Sequence, residues 1–464
     1  MNRKLSFSVD DESSDIVRRY EQFLSGKATG YFDVEELESI VEFYLRRGRT
    51  KDCAKALELG LSLHPNNNVL KTKRAKIFLA TGENQKAFRL LESLAETADY
   101  EVVLLKVEVL VKMNRYHEAR ILSDKLVGEA SDDLDNVCLD IAFIYLGEGD
   151  YEHALQFLEK GDEFNRVNVD LLFELAFCYE QTDNLDKAIK TYNRIIDIDS
   201  YMNEAWFNLG QIYFNQQNFN KALDAYDFAL AIDENDSLTC LQRAHAHFQL
   251  DQFEAAIEDY KEYRKMTSED WQTDLFIAEC YEKLERFNDS IFYYSSALES
   301  NPKSFEALTG MAVCLLEQEK FRESILFVNK ALDLNAEAPD CWVYMAEAYI
   351  GLDQVENALL AYLKSITLDP EQPDTMMAIA NIFLEKGEYE TAIQYYTLAK
   401  DMDNALEYID LFLSVAYYKT GNNRNAAEFF KYAVARDESA GALFLELCPE
   451  ALEAPYDDNE NLIL

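Results

Sequence analysis

The chain has 464 residues, of which 86 are acidic and 44 basic, and its formal net charge at pH 7 is -42. Such a surface repels phosphate groups and no basic run offsets it, so nucleic acids and anionic membranes are not expected as partners. An apolar fraction of 48% still provides for a large folded core.

Signals for membranes or secretion are not found in the sequence. The first residues turn polar by Asp10 without an apolar run, and no stretch approaches the roughly 20 apolar residues of a membrane span. Eight cysteines are scattered without a C-x-x-C pair, which is typical of a reducing compartment. We therefore expect a cytoplasmic protein that does not bind membranes.

The N-terminal part, residues 1–33, is predicted to hold a disordered start over residues 1–12 and then a capping helix over Ser13–Ser25. The apolar face of that helix carries Ile16, Tyr20, Phe23 and Leu24. Residues 34–134 follow as three less regular units that begin near positions 34, 68 and 100. A kink or subdomain break is expected between 95 and 135.

A regular repeat of 34 residues occupies the chain from 135 to 440. Its nine units begin at 135, 169, 203, 237, 271, 305, 339, 373 and 407. Position 8 of each unit is small, as in Ala142 and Ala176, and so is position 20, as in Ala154 and Ala188. Position 11 is usually aromatic, as in Tyr145.

This pattern predicts two antiparallel helices per unit. Positions 4, 8 and 11 lie on one face of a first helix, helix A, and positions 20, 24 and 27 lie on one face of a second, helix B. Small residues at 8 and 20 let the helices approach closely, and a turn near positions 15–18, marked by Gly149, Gly387 or Gly421, reverses the chain. Since one pair cannot bury its own apolar face, neighbouring pairs must stack.

The sequence resembles the tetratricopeptide-repeat (TPR) family. The motif is clearest at Trp206-x2-Leu209-Gly210-x2-Tyr213, followed by Ala222-x3-Tyr226. The resemblance covers most of the chain and implies an all-α, right-handed superhelical solenoid of about twelve helix-turn-helix units over residues 34–440. Residues 441–464 are then expected to form a short C-terminal helix and an acidic tail.

No catalytic signature is present in the sequence. It lacks a phosphate-binding loop, an H-E-x-x-H motif and a G-x-S-x-G elbow, and its five histidines are too dispersed for a metal site. His247 is interpreted as a substitute for the core aromatic at position 11, and His245 as a residue of the opposite face. We expect no catalytic residue, no metal site and no cofactor.

A second face of helix A, formed by positions 2, 5, 9 and 12, is the candidate binding surface, and we call it the A-helix stripe. Over twelve repeats it holds fourteen acidic residues and one basic residue, Lys76. The family resemblance implies that this stripe lines a concave groove. Between residues 135 and 248 the stripe is also rich in phenylalanine and leucine, which either pack against the next repeat or form an exposed apolar patch.

The sequence therefore predicts a non-catalytic scaffold or adaptor that binds a protein or peptide with basic and apolar residues. The alternative is a self-assembling structural subunit, with a homodimer contact that includes Leu443–Leu447, or a regulatory subunit of a larger complex. The predicted partner-binding residues are Phe143, Asp170, Phe173, Phe177, Glu180, Glu204, Phe207, Gln211, Phe214, His245 and Phe248.

Overall fold

The structure is a computed structural model that describes residues 6–26, 30–94, 99–267 and 270–452. These residues form 26 α-helices and one short 3-10 helix, and no strand occurs among them. They divide into two compact units, residues 1–216 (unit 1) and 217–464 (unit 2). The all-α prediction is confirmed.

Unit 1 contains a capping helix, five antiparallel pairs and one further helix A. Its helices are α1 (Ser6–Leu24), α2 (Val34–Arg46), α3 (Thr50–Leu63), α4 (Asn68–Ala80), α5 (Asn84–Glu92), α6 (Tyr100–Lys112), α7 (Tyr116–Glu129), α8 (Leu134–Leu146), α9 (Tyr151–Phe164), α10 (Val169–Gln181), α11 (Leu185–Ile198) and α12 (Asn203–Asn215).

Unit 2 contains one helix B, six antiparallel pairs and a C-terminal cap. Its helices are α13 (Phe219–Ile232), α14 (Ser237–Gln249), α15 (Phe253–Met266), α16 (Trp271–Lys283), α17 (Phe287–Ser300), α18 (Phe305–Glu317), α19 (Phe321–Leu334), α20 (Pro339–Gly351), α21 (Val355–Leu368), α22 (Pro373–Glu385), α23 (Tyr389–Met402), α24 (Ile409–Lys419), α25 (Asn423–Arg436) and α26 (Ala440–Leu447), with a 3-10 turn at Pro449–Leu452.

The small residues at positions 8 and 20 are buried in all nine regular repeats, as their spacing predicts. Where one of them is serine, its hydroxyl finds a partner inside the pair. Ser290 and Ser324 at position 20 donate to the carbonyl oxygens of Ala278 and Ala312 at position 8, both at 2.8 Å. The small side chain therefore permits a close approach and leaves no buried polar group unpaired at these two contacts.

The turn between helices A and B places position 15 in the left-handed backbone region in every repeat. Glycine occupies this position in five repeats; elsewhere residues such as Glu285 and Glu319 adopt φ values of 56° and 57°. The sequence-based prediction recognised the turn only where glycine marks it. The other repeats accept a strained residue there, at a cost of about 1 kcal/mol or more.

Both ends of the repeats are covered by capping helices. In α1, Tyr20 is fully buried against Phe32 and Tyr44, whereas Leu24, expected on the same face, is 51% exposed. Helix α1 begins at Ser6, earlier than the expected Ser13, and residues 1–5 of the expected disordered start lie outside the described residues. In α26, Phe444 is fully buried against Phe430.

Position 4 of helix A departs from the predicted apolar pattern in two repeats of unit 2. Asp274 in α16 and Asp410 in α24 are buried there. Arg264 of α15 pairs with Asp274 at 2.8 Å, and Lys400 of α23 pairs with Asp410. Each cation comes from the preceding helix B, so the two ion pairs link neighbouring repeats.

Candidate partner-binding site

Within each unit, the A helices of successive repeats contact one another as well as their own B helices. In unit 1, α8 contacts α6 and α10; in unit 2, α18 contacts α16 and α20. Each unit therefore has a surface built from neighbouring A helices, and the A-helix stripe lies on it. Positions 9 and 12 contribute most of the polar and aromatic side chains considered below.

Buried tyrosines at position 24 of helix B hold stripe residues from beneath. The hydroxyl of Tyr192 donates to Glu180 at 2.6 Å, and that of Tyr294 donates to Glu282 at 2.7 Å. The hydroxyl of Tyr260 lies 2.7 Å from the Nδ1 atom of His245. A core side chain thus orients a surface side chain in three repeats of the array.

The predicted aromatic residues of unit 1 are only partly exposed. Phe143 and Phe177, both at position 9, are 48% and 41% exposed, and the nearby Asp170 is also exposed. Phe173 is half-buried and packs edge-to-face against Tyr192, with ring centroids 6.2 Å apart. Of these phenylalanines, Phe143 and Phe177 are therefore the exposed ones, whereas Phe173 belongs to the packing around Tyr192.

The other predicted residues of unit 1 lie on α10 and α12. Burial raises the pKa of Glu180, while its hydrogen bond from Tyr192 opposes that shift. On α12, Glu204 is exposed, whereas Phe207, Gln211 and Phe214 are half-buried.

In unit 2, the two predicted residues occupy different environments. His245 is half-buried, and its ring packs edge-to-face against Phe276 at 5.0 Å; burial lowers its pKa. Phe248 is half-buried and lines a surface cleft of about 360 Å³. His247, interpreted as a core substitute, hydrogen-bonds Gln252 through Nδ1 at 2.7 Å and lies 3.8 Å from Asp259.

The cleft that Phe248 lines is rich in carboxylates, and we call it the carboxylate cleft. It lies over α16 and α18, between α14 and α20, with Tyr294 of α17 at its base. The side chains that define it are those of Phe248, Glu279, Glu282, Glu306, Thr309, Val313 and Tyr344. Most of them occupy positions 2, 5, 9 and 12, the stripe that the sequence predicts to be acidic.

The three carboxylates of the cleft are close enough to affect one another. Burial, together with the charges of Glu282 and Glu306, raises the pKa of Glu279 to about 7, although Lys283 at the edge of the cleft opposes the shift. Within the described part of the chain, none of the three forms an ion pair. By contrast, Arg243 donates to both oxygens of Asp259, at 2.8 and 2.6 Å.

Gly310 gives the cleft its depth. A Cβ atom at this position would lie 2.2 Å from the ring of Tyr294, the residue that holds Glu282. The close packing of the α18 backbone on this ring is therefore possible only with glycine. A side chain at position 310 would displace the Tyr294 ring, and with it the support of Glu282 in the cleft.

Glu279, Glu282 and Glu306 were counted in the acidic stripe but were not among the predicted site residues. The prediction selects carboxylates only where they flank the phenylalanines of unit 1, as Asp170, Glu180 and Glu204 do. A usable signal was present, since Glu282 at position 12 precedes Tyr294 at position 24 of the same repeat, as Glu180 precedes Tyr192.

One group of potential metal ligands occurs among the described residues. Ligand atoms of Cys240, Asp259 and Glu262 lie within 4.8 Å of one another. However, Arg243 already binds both oxygens of Asp259, and burial raises the pKa of Cys240 to about 12, which keeps the thiol protonated. The arrangement is that of a buried ion pair beside a packed cysteine.

Two findings bear on the environment of the chain. None of the helices in the described ranges is long and apolar enough to cross a membrane. All eight cysteines are buried and unlinked.

Family models match the regular part of the chain. Models described as tetratricopeptide repeat match residues 145–201, 204–236, 238–266 and 345–406. A model described as anaphase-promoting complex, cyclosome, subunit 3 matches residues 284–365. The chain belongs to the tetratricopeptide-repeat family. This TPR protein thus has the helical-repeat fold of protein-interaction scaffolds. A comparison with curated proteins found no match.

Several solved structures are similar to this TPR chain at low identity. YrrB, described as a TPR protein with an unusual peptide-binding site, is 17% identical over 40% of this chain and 96% of its own, with a TM-score of 0.36. The Cut9–Hcn1 hetero-tetramer of APC/C is 14% identical over 83% and 96%, with a TM-score of 0.39. The C-terminal part of a TPR repeat-containing protein from Cytophaga hutchinsonii is 16% identical over 50% and 96%, with a TM-score of 0.43. At these identities, the partners of those proteins do not transfer to this chain.

Proposed function

We propose that this TPR protein is a non-catalytic, cytoplasmic scaffold or adaptor that binds a protein or peptide with basic and apolar residues along the A-helix stripe. The observation that supports it most is the carboxylate cleft, where Glu279, Glu282 and Glu306 surround one cleft without an ion pair among the described residues. Three carboxylates without an ion pair, with the single cation Lys283 at the edge of the cleft, favour an incoming lysine or arginine.

Apolar recognition is assigned to side chains of both units, each considered by itself. In unit 1, Phe143 and Phe177 occupy the same position in neighbouring repeats, α8 and α10, which contact each other. In unit 2, Phe248 and Val313 line the carboxylate cleft. Desolvation of such anchors would provide affinity, and the negative field would accelerate the encounter with a basic partner.

The proposal is tested by affinity capture from native lysate with two variants of equal charge. One variant, Glu279→Gln, Glu282→Gln, Glu306→Gln, neutralises the cleft. The control, Asp224→Asn, Glu258→Gln, Glu428→Gln, neutralises three exposed carboxylates at position 22 of B helices in the same unit. Both must first show wild-type helicity.

We expect wild type and the control to capture a basic partner that the cleft variant loses, and high salt to weaken the capture. A second variant, Phe143→Ala, Phe177→Ala, tests the two exposed phenylalanines of the stripe in unit 1. Its control is Phe164→Ala, because the Phe164 side chain is 47% exposed. If the cleft variant retains every partner, the proposal is wrong. If only the chain itself is captured, the self-assembling subunit replaces it.

A further inference from the structure

A second surface stands apart from the A-helix stripe, at position 22 of helix B. All twelve residues at this position are exposed, which shows that the fold directs them to solvent. Eight of them are polar or charged, among them Lys190, Asp224, Glu258 and Gln394. Position 22 is thus a surface position at which polar residues are the rule.

Three consecutive repeats of unit 2 break this rule. Phe292 of α17, Leu326 of α19 and Leu360 of α21 occupy position 22 and are 65%, 54% and 67% exposed. We call these three residues the apolar row. The fourth apolar case, Ile121 in unit 1, stands alone between polar Arg89 and Gln156 in the adjacent repeats.

Packing within the repeats does not account for the apolar row. The helix pairs containing Glu258 and Glu428 are built in the same way with charged residues at position 22. Exposure of three large apolar side chains in successive repeats costs solubility, whereas scattered single ones are ordinary. Three exposed apolar residues in successive repeats therefore indicate a surface that a partner covers.

The charges beside the apolar row indicate what covers it. One helical turn away on the same faces lie Arg322 before Leu326, Lys330 after it and Lys364 after Leu360. All three cations are exposed and form no ion pair within the part of the chain that the structure describes; Lys330 lies 4.5 Å from the ring centre of Phe327. Of the acidic residues one turn from the row, Glu356 is 3.8 Å from Lys386 and Asp289 is 2.8 Å from Arg286, so each already has a cation. Glu323, one turn before Leu326, is exposed and has no ion pair among the described residues, so the cations of this surface outnumber its unpaired acids by three to one.

We propose that the apolar row binds a helical segment of another protein whose exposed face combines branched apolar and acidic side chains. Its apolar residues would cover Phe292, Leu326 and Leu360, and its carboxylates would meet Lys330 and Lys364. Helices α17, α19 and α21 are separated by A helices, so the segment must span at least about 16–20 Å, or roughly three to four turns. The local cations Lys330 and Lys364 select for carboxylates on the segment. A second copy of this chain is the alternative occupant, which sedimentation distinguishes below.

This surface is independent of the proposed function, since no residue of the A-helix stripe contributes to it. The test variant is Phe292→Gln, Leu326→Gln, Leu360→Gln, which installs the residue that Gln156 and Gln394 supply at the same position. The control is again Asp224→Asn, Glu258→Gln, Glu428→Gln. Because every changed side chain is exposed, helicity and melting temperature should match those of wild type.

The probe is a fluorescein-labelled amphipathic peptide of about 20 residues, with leucine at helical spacing on one face and glutamate beside it. We expect fluorescence anisotropy to give binding to wild type and the control, and at least about ten-fold weaker binding to the apolar-row variant. Lys330→Gln, Lys364→Gln should weaken the glutamate peptide and leave a glutamine version unchanged.

Equal affinity of the glutamate peptide for wild type and the apolar-row variant would overturn the proposal, as would failure to bind wild type. Sedimentation supplies the remaining outcome. A wild-type dimer that the apolar-row variant abolishes would show that a second copy covers the row, which also overturns it. The lysate capture with the cleft variant is a separate experiment. Its result tests the proposed function and does not affect the proposal for the apolar row.

Discussion

The A-helix stripe has carboxylates in both units, but their surroundings differ. In unit 1, Glu101 pairs with Lys76, and Lys112 contacts both Glu148 at 2.7 Å and Glu108 at 3.8 Å. In unit 2, the described residues offer no ion pair to Glu279, Glu282 or Glu306. Asp170, Glu180 and Glu204 of unit 1 likewise have no ion pair among the described residues. Stripe carboxylates therefore link repeats around α6, and they form no ion pair around α10, α12 and the carboxylate cleft.

The aromatic residues are concentrated in one region. Position 9 is Phe143 and Phe177 in neighbouring repeats of unit 1, whereas it is Glu108 in an earlier repeat of unit 1 and Glu279 in unit 2. Different repeats thus present different chemistry at one position of a common unit. In this way a regular solenoid presents a surface that does not repeat.

The largest expected effect comes from Gly310→Ala, which breaks the support of the carboxylate cleft. The new methyl group would overlap the Tyr294 ring, so we expect a loss of about 3 kcal/mol in the free energy of unfolding. Gly128→Ala in unit 1 has open space around the new methyl group and should be neutral or gain up to about 1 kcal/mol. Chemical denaturation measures both, and equal stability of the two variants would contradict the packing described.

Removal of the tyrosine hydroxyls tests the support shared by both units. Tyr192→Phe and Tyr294→Phe each delete a hydrogen bond to a stripe carboxylate, and we expect each to cost about 1–2 kcal/mol. Tyr201→Phe, at a position 78% exposed, should change nothing. If thermal unfolding of all three variants matches wild type, these tyrosines do not hold the stripe.

Lys112→Met converts a paired site of unit 1 into an unpaired one. Glu108 and Glu148 would lose their cation, so we expect a loss of about 1 kcal/mol at pH 7. Burial already raises the pKa of Glu108 and Lys112 opposes that shift, so without the cation this pKa rises further in the folded chain, and protonation of Glu108 should restore stability as the pH falls. A loss that persists unchanged at acidic pH would indicate lost packing of the lysine stem instead.

Glu279→Gln has the smallest expected effect on stability. Burial raises the pKa of Glu279 from 4.5 to about 7, so the folded chain binds more protons than the unfolded chain between these pH values. Glu279 therefore lowers stability as the pH rises through this window. Because the side chain is partly exposed, the variant should be more stable by only about 0.5–1 kcal/mol at pH 8, and the gain should vanish below pH 4.5. A gain independent of pH would contradict this origin.

Much of the fold could be predicted because repetition multiplies a weak signal. A single alanine does not identify a helix–helix contact, but Ala142, Ala176 and their equivalents at a fixed spacing do. Features that break the repeat could not be predicted in this way. Asp274 and Asp410 occupy an apolar position, and their cations, Arg264 and Lys400, both stand at position 28 of the preceding repeat, a coincidence that occurs in only two repeats.

The candidate site was less predictable, since exposure depends on neighbours. Phe143 at position 9 and Phe173 at position 5 both belong to the A-helix stripe, yet one is 48% exposed and the other packs against Tyr192. The acidic character of the stripe was visible in composition. The distinction between Glu101, which has Lys76 beside it, and Glu279, which forms no ion pair among the described residues, requires the structure.

Isothermal titration of the captured partner at pH 6 and pH 8 tests the central claim most directly. If the carboxylate cleft binds a cation, Glu279 must be ionised in the complex, so wild type should bind more tightly at pH 8 than at pH 6 and should release protons on binding at pH 6, where Glu279 is mostly protonated. The Glu279→Gln, Glu282→Gln, Glu306→Gln variant should bind at least about ten-fold more weakly and without this pH dependence. Equal affinity of wild type and variant at both pH values would contradict the claim.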